Sequence, residues 1–82
     1  MPYEVAFDEQ ALRQRRALPL EEKAALGDAL RNVAADPYPG TRYDPRHPPE
    51  LRTMAFGEWG LLAYLVRERQ QRVVVLDVTW AG

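Results

Sequence analysis

The sequence predicts an α+β domain: a small antiparallel sheet in the order β-α-α-β-β-β, with two helices packed on one face. Three observations predict it. A chain of 82 residues is long enough for one domain and too short for two, so residues 1–82 form a single unit. The hydrophobic spacing is helical between residues 20 and 35, then switches to the period of strands after residue 50 and stays there. Hydrophobic residues make up 46% and charged residues 28%, a balance that supports a packed core and excludes wholesale disorder.

Each element follows from local pattern. Tyr3-Glu4-Val5-Ala6-Phe7 alternates, placing Tyr3, Val5 and Phe7 on one face of a short, half-buried strand. Asp8 can cap the helix that follows, from about Glu9 to Arg16, and Pro19 ends it or opens the next. From Leu20 to Ala35, Lys23, Leu26, Gly27, Leu30, Val33 and Ala34 form one stripe. Gly27 in mid-helix suggests close approach of the first helix or of the sheet. Asp36-Pro37 stops the helix, because the residue before proline is pushed out of helical geometry. Residues 36–49 form a loop of fourteen residues holding five of the seven prolines, stiff and extended. Leu51 to Phe56 reads as a strand, Gly57-Glu58 as a turn and Trp59 to Arg67 as a second, central strand. Arg72 to Trp80 is the last strand, with Val74, Leu76, Val78 and Trp80 expected on one face and Val73, Val75, Asp77 and Thr79 on the other.

Composition excludes several kinds of chemistry. With no cysteine there is no disulfide scaffold, thiolate zinc site or cysteine nucleophile, and a single histidine, His47, argues against a histidine-based metal site. No cofactor or metal is implied. The longest uncharged apolar run, about seven residues, falls far short of the roughly 20 of a membrane span, so no membrane partner is expected. No basic stretch precedes an apolar segment at the N-terminus, and the expectation is a cytoplasmic domain. The formal net charge of −1 argues against a surface coated in phosphate contacts, although ten of the eleven basic residues are arginines, whose forks suit bidentate contacts with phosphate or carboxylate.

The order of elements resembles the RelE/ParE superfamily, the toxins of bacterial type II toxin–antitoxin modules. The residues that carry the likeness are Tyr-Glu-Val-Ala-Phe at the start, the Asp-Pro ending the second helix, Leu-Arg-Thr-Met-Ala-Phe, the Gly-Glu-Trp-Gly-Leu-Leu-Ala-Tyr-Leu hairpin and Val-Val-Val-Leu-Asp-Val near the end. They cover most of the chain as a pattern of hydrophobicity and topology. The resemblance implies a toxin held by a cognate antitoxin. In the ribonuclease branch it implies metal-independent cleavage of ribosome-bound mRNA, with basic residues stabilising charge on the phosphate and a Tyr, His or Glu moving protons. The family's hairpin arginine is here Gly60, its tyrosine three residues on is Ala63 with Tyr64 one place away, and the basic residues it often carries beyond the last strand have no counterpart before Gly82. A superfamily member acting by binding alone, as a ParE-like poison of gyrase or as a degenerate toxin that keeps only its antitoxin, is the alternative. A small adaptor without toxicity is a third reading.

On this reading the candidate catalytic residues are Arg52 for charge and His47 or Tyr64 for proton transfer. Arg52 alternates with Met54 and Phe56, which gives its stem an apolar surface to pack on and its head a choice of phosphate, solvent or Glu50. His47 is the side chain whose unperturbed pKa lies nearest neutrality. Arg42, Tyr43 and Arg46 interleave bases with an aromatic in the long loop and are the candidate RNA contacts, with Asp36 and Asp44 offsetting their charge. Arg13, Arg15 and Arg16 form a basic cluster around the first helix, open to ribosomal RNA or simply solvated. Trp59 and Leu61, on a sheet face the helices leave open, form the candidate partner interface for the antitoxin, and a homodimer would cover the same patch.

Overall fold

A computed structural model describes residues 2–42, 45–48 and 50–82. Strand β1 (Glu4–Phe7) leads through helix α1 (Glu9–Arg16) and helix α2 (Leu20–Ala35) to a meander of β2 (Leu51–Phe56), β3 (Gly60–Arg67) and β4 (Arg72–Trp80). The strand order is β1-β4-β3-β2. The meander is antiparallel as expected, but β1 runs parallel to β4, with Val5 opposite Val73 and Phe7 opposite Val75. The reason is the connection: two helices carry the chain from β1 to the far edge of the sheet, and the three-strand meander brings β4 back alongside β1 in the same direction. Parallel neighbours need such a long covering crossover.

The helix starts and stops lie where local chemistry puts them. The Asp8 carboxylate accepts from the Ala11 amide at 2.8 Å and caps α1. At the end of α2, Asp36 adopts extended geometry ahead of Pro37. Gly27 corrects the sequence reading. A Cβ there would meet nothing nearer than the Arg31 guanidinium at 3.8 Å, so no neighbouring element approaches this glycine.

Cross-strand partners share a face, and the register defines two. Phe56, Leu62, Tyr64, Val66, Val73, Val75 and Val78 are buried, and Ala11 of α1 with Leu26 and Val33 of α2 closes over them. The partition of β4 differs from simple alternation. Ala63 pairs with Asp77 and Tyr64 with Val75, so Leu76 is an extra residue at a bulge. Val73 and Val75 face inward before it and Val78 after it, which replaces the expected face of Val74, Leu76, Val78 and Trp80.

Helix α1 also completes an edge. Strand β1 covers β4 only from Arg72 to Val75. Beyond that point the Gln14 side chain takes over: its Oε1 accepts from the Val78 amide at 2.7 Å and its Nε2 donates to Asp77 at 2.8 Å. Asp77 is thereby a tie between sheet and helix.

Candidate functional site

At the end of the β2–β3 hairpin away from its turn, three tyrosines, a glutamate and an arginine meet. Arg52 and Tyr64 are direct cross-strand partners, so Arg52 lies at the rim of the helix-covered face rather than on the open one. Tyr64 is fully buried and its hydroxyl donates to the Pro37 carbonyl at 2.6 Å. Burial pushes its pKa up to about 12, with Asp36 adding to the rise and Arg52 opposing it. A phenol sealed in this way anchors the start of the proline-rich loop, and the proton-transfer role expected of Tyr64 has no access to solvent.

Pro37 is buried by this anchor, and Tyr38 emerges beside it. The Tyr38 hydroxyl donates to Glu68 Oε1 at 2.6 Å, the Tyr3 hydroxyl donates to the same oxygen, and the Arg52 guanidinium lies 5.1 Å from the centre of the Tyr38 ring. Tyr38 is pushed up to about 12, chiefly because its proton is held by Glu68, and Tyr3 is raised for the same reason. Glu68 is held below the ordinary carboxylate range by the two phenols, Tyr3 first and Tyr38 second. A cleft of about 440 Å³ opens here between Tyr38, Arg52, Val66 and the Arg67–Gln70 turn. Tyr38 and Glu68 were not among the sequence candidates. They lie 30 residues apart in a loop and a turn, where no periodicity links them.

The other candidates distribute around this centre. Arg42 forms a two-way backbone bridge with Thr53 on the outer edge of β2, donating at 2.9 Å and accepting at 3.3 Å, one residue from Arg52 along the strand. Arg46 and His47 are exposed in the following turn, and each is engaged by a neighbour. Tyr43 lies outside the described residues. In the basic cluster of α1, Arg13 pairs with Glu9 at 3.1 Å and Arg15 lies over the Phe7 ring. Among the described residues no three His, Cys, Asp or Glu side chains gather as metal ligands, and no helix is long and apolar enough to cross a membrane.

Trp59 and Leu61 lie at the opposite end of the hairpin, 65% and 49% exposed. Trp59 belongs to the turn rather than to β3, which begins at Gly60 opposite Phe56. A Cβ on Gly60 would fall 2.5 Å from the Phe56 ring, so the aromatic occupies the space a side chain at this position would take. Gly57 has φ +59 and a Cβ there would lie 2.6 Å from Glu22 of α2, which fixes this turn against the helix.

Sheet order, crossover and hairpin together define the RelE/ParE-superfamily fold. Among the structures it superposes on are a RelE toxin and RelE–RelB complexes. The RelBE2 toxin–antitoxin complex of Mycobacterium tuberculosis matches with a TM-score of 0.86 at 23% identity, over 99% of this chain and 100% of that one. The isolated RelE toxin of Escherichia coli matches with a TM-score of 0.85 at 26% identity, over 98% of this chain and 85% of that one. The RelE–RelB complex of the archaeon Pyrococcus horikoshii, at 15% identity and a TM-score of 0.75 over 100% and 98% of the two chains, shares the fold. No protein-family model and no curated protein sequence matches the chain.

Proposed function

We propose that this protein is the toxin of a type II toxin–antitoxin module and arrests translation by cleaving ribosome-bound mRNA, held inactive by a cognate antitoxin. The observation that carries the reading is the superposition on E. coli RelE over nearly the whole chain. In this reading Arg52, Arg42 and Arg46 supply charge to the scissile phosphate and His47 moves the proton. Cleavage by these groups is electrostatic stabilisation and proton transfer, and needs no metal. Trp59 and Leu61 form the surface that meets the antitoxin.

A second reading has a specific observation behind it. Where the resemblance expects an arginine on the hairpin, Gly60 is packed under the Phe56 ring, and the nearby Tyr64 hydroxyl is sealed in the core. A binder of antitoxin or of gyrase needs neither group. Both readings are tested by adding purified protein to ribosomes translating a defined mRNA and mapping new 5′ ends. Cuts in the A-site codon, abolished by Arg52→Ala or His47→Ala, are the outcome expected of the toxin. An intact message in the presence of folded protein selects the binder.

A further inference from the structure

We propose that the cleft between Tyr38, Arg52 and the Arg67–Gln70 turn binds a phosphorylated nucleoside. About 440 Å³ lies within the roughly 300–1,000 Å³ of small-molecule sites and fits one nucleotide.

The chemistry of the lining narrows the class. Arg67 and Arg69 line the cleft and form no ion pair with any described residue, which leaves both guanidinium forks available for bidentate contact with a phosphate. The Tyr38 ring is fixed in advance: its hydroxyl is on Glu68 and a guanidinium lies over the ring. A fixed aromatic wall is what a base needs for stacking at low entropic cost. Val66 adds an apolar contact, and the Gln70 amide and Glu50 carboxylate supply hydrogen-bonding groups for a base edge or ribose hydroxyls. Glu50 and Glu68 also line the cleft, and the two phenols on Glu68 keep it ionised, but the three guanidinium groups of Arg52, Arg67 and Arg69 outnumber the two carboxylates. A bare anion would use the arginines and leave the ring idle, and an apolar ligand would do the reverse. A ligand that joins a flat heterocycle to a phosphate uses both.

The cleft shares Arg52 with the toxin reading, but it lies apart from His47 and the Trp59 end of the hairpin, and its test reads nucleotide binding at Tyr38 and Arg69 rather than mRNA cleavage or antitoxin capture. The same chemistry is offered by a free nucleotide and by the 5′-terminal nucleotide of an RNA chain. The test is titration of the full chain, followed by calorimetry and by amide shifts, with each of the four ribonucleoside 5′-monophosphates, with adenosine, with inorganic phosphate and with a 5′-phosphorylated trinucleotide RNA. At least one monophosphate is expected to bind about tenfold or more tightly than phosphate or adenosine, moving the amides of Tyr38 and residues 67–70. Arg69→Ala and Tyr38→Leu, each shown folded by its amide spectrum, should each weaken that binding about tenfold. Shifts at the same amides with the trinucleotide alone assign the site to an RNA end, and shifts with monophosphates assign it to free nucleotide. The proposal is overturned if phosphate binds as tightly as every nucleotide, if the folded Arg69→Ala variant binds as well as the parent, or if no phosphorylated nucleoside binds.

Discussion

Replacing Tyr64 by Phe separates structure from catalysis at the centre of the molecule. The ring stays, so packing among Leu62, Val66 and Val75 is preserved and no cavity opens. What is lost is the donor to Pro37, whose carbonyl would be left sheltered from water by the same packing that buries Pro37 and Tyr64. A buried acceptor without a partner costs about 1–3 kcal/mol. In a domain of this size each kcal/mol moves the melting temperature by about 4–8 °C, so Tyr64→Phe should melt lower by roughly 4–24 °C. Urea denaturation followed by tryptophan fluorescence, with thermal melting by circular dichroism, measures both quantities. At a temperature where the variant is still folded, its effect on translation should equal that of the parent. A variant as stable as the parent would refute the anchoring argument. A folded variant that has lost an activity the parent possesses would refute the assignment of this hydroxyl to structure.

Other consequences are directly measurable. Tyr38 is raised from 10.0 to about 12 in the folded state, so its contribution to stability is complete below pH 10 and is lost as pH climbs from 10 towards 12; phenolate absorbance and denaturation midpoints across that range should move together, and Glu68→Gln should bring the Tyr38 titration down. The depressed Glu68 works in the opposite direction: its contribution is present above 4.5 and is lost as pH falls through its lower folded value, so Glu68→Gln should flatten the acid side of the stability profile. Gly27→Ala should stabilise the protein by about 0.5–1 kcal/mol in denaturant titration, since the site is helical and the new methyl meets only a mobile guanidinium. Gly57→Ala should destabilise it by about 1 kcal/mol or more, because the backbone is left-handed there and the methyl would press on Glu22. Trp59→Ala should leave the denaturation midpoint almost unchanged and, on the proposed reading of this surface as the antitoxin interface, weaken antitoxin capture at least about tenfold.

What could be read from the sequence was what repeats or punctuates. The Leu26–Val33 stripe, the Asp8 cap and the Asp36-Pro37 stop are local signals, and each element they bound lies where they put it. The meander was equally legible, because the strand Leu51–Phe56 and the continuous apolar run from Gly60 to Val66 flank a turn that begins at Gly57. The inward face of β4 was not. Nothing local distinguishes Leu76 from its neighbours, and the bulge shows only in the pairing, where Ala63 stands opposite Asp77 and Tyr64 opposite Val75. The parallel edge was likewise invisible, since Glu4–Phe7 alternates whichever way its neighbour runs. At the candidate site the chain announced its arginines and its histidine by type. Glu68 joining Tyr3 and Tyr38 is a meeting of three segments distant in sequence, and only folding brings them together.

The Gln14 tie has a consequence for how copies of the protein behave in a crowd. An edge strand with bare amides and carbonyls is a template on which another chain can add, which is how soluble sheets begin to aggregate. Strand β4 has nine residues and its neighbour β1 has four, so the far half of its ladder would stand open. A single uncharged amide on α1 blocks it, accepting from Val78 where a further strand would otherwise dock. The backbone bridge from Arg42 to Thr53 performs the same service on the opposite edge. Resistance to aggregation at high concentration therefore depends on one helix staying folded against the sheet, and Gln14→Leu should turn a clear solution into one that scatters light and binds thioflavin long before the core of the domain has melted.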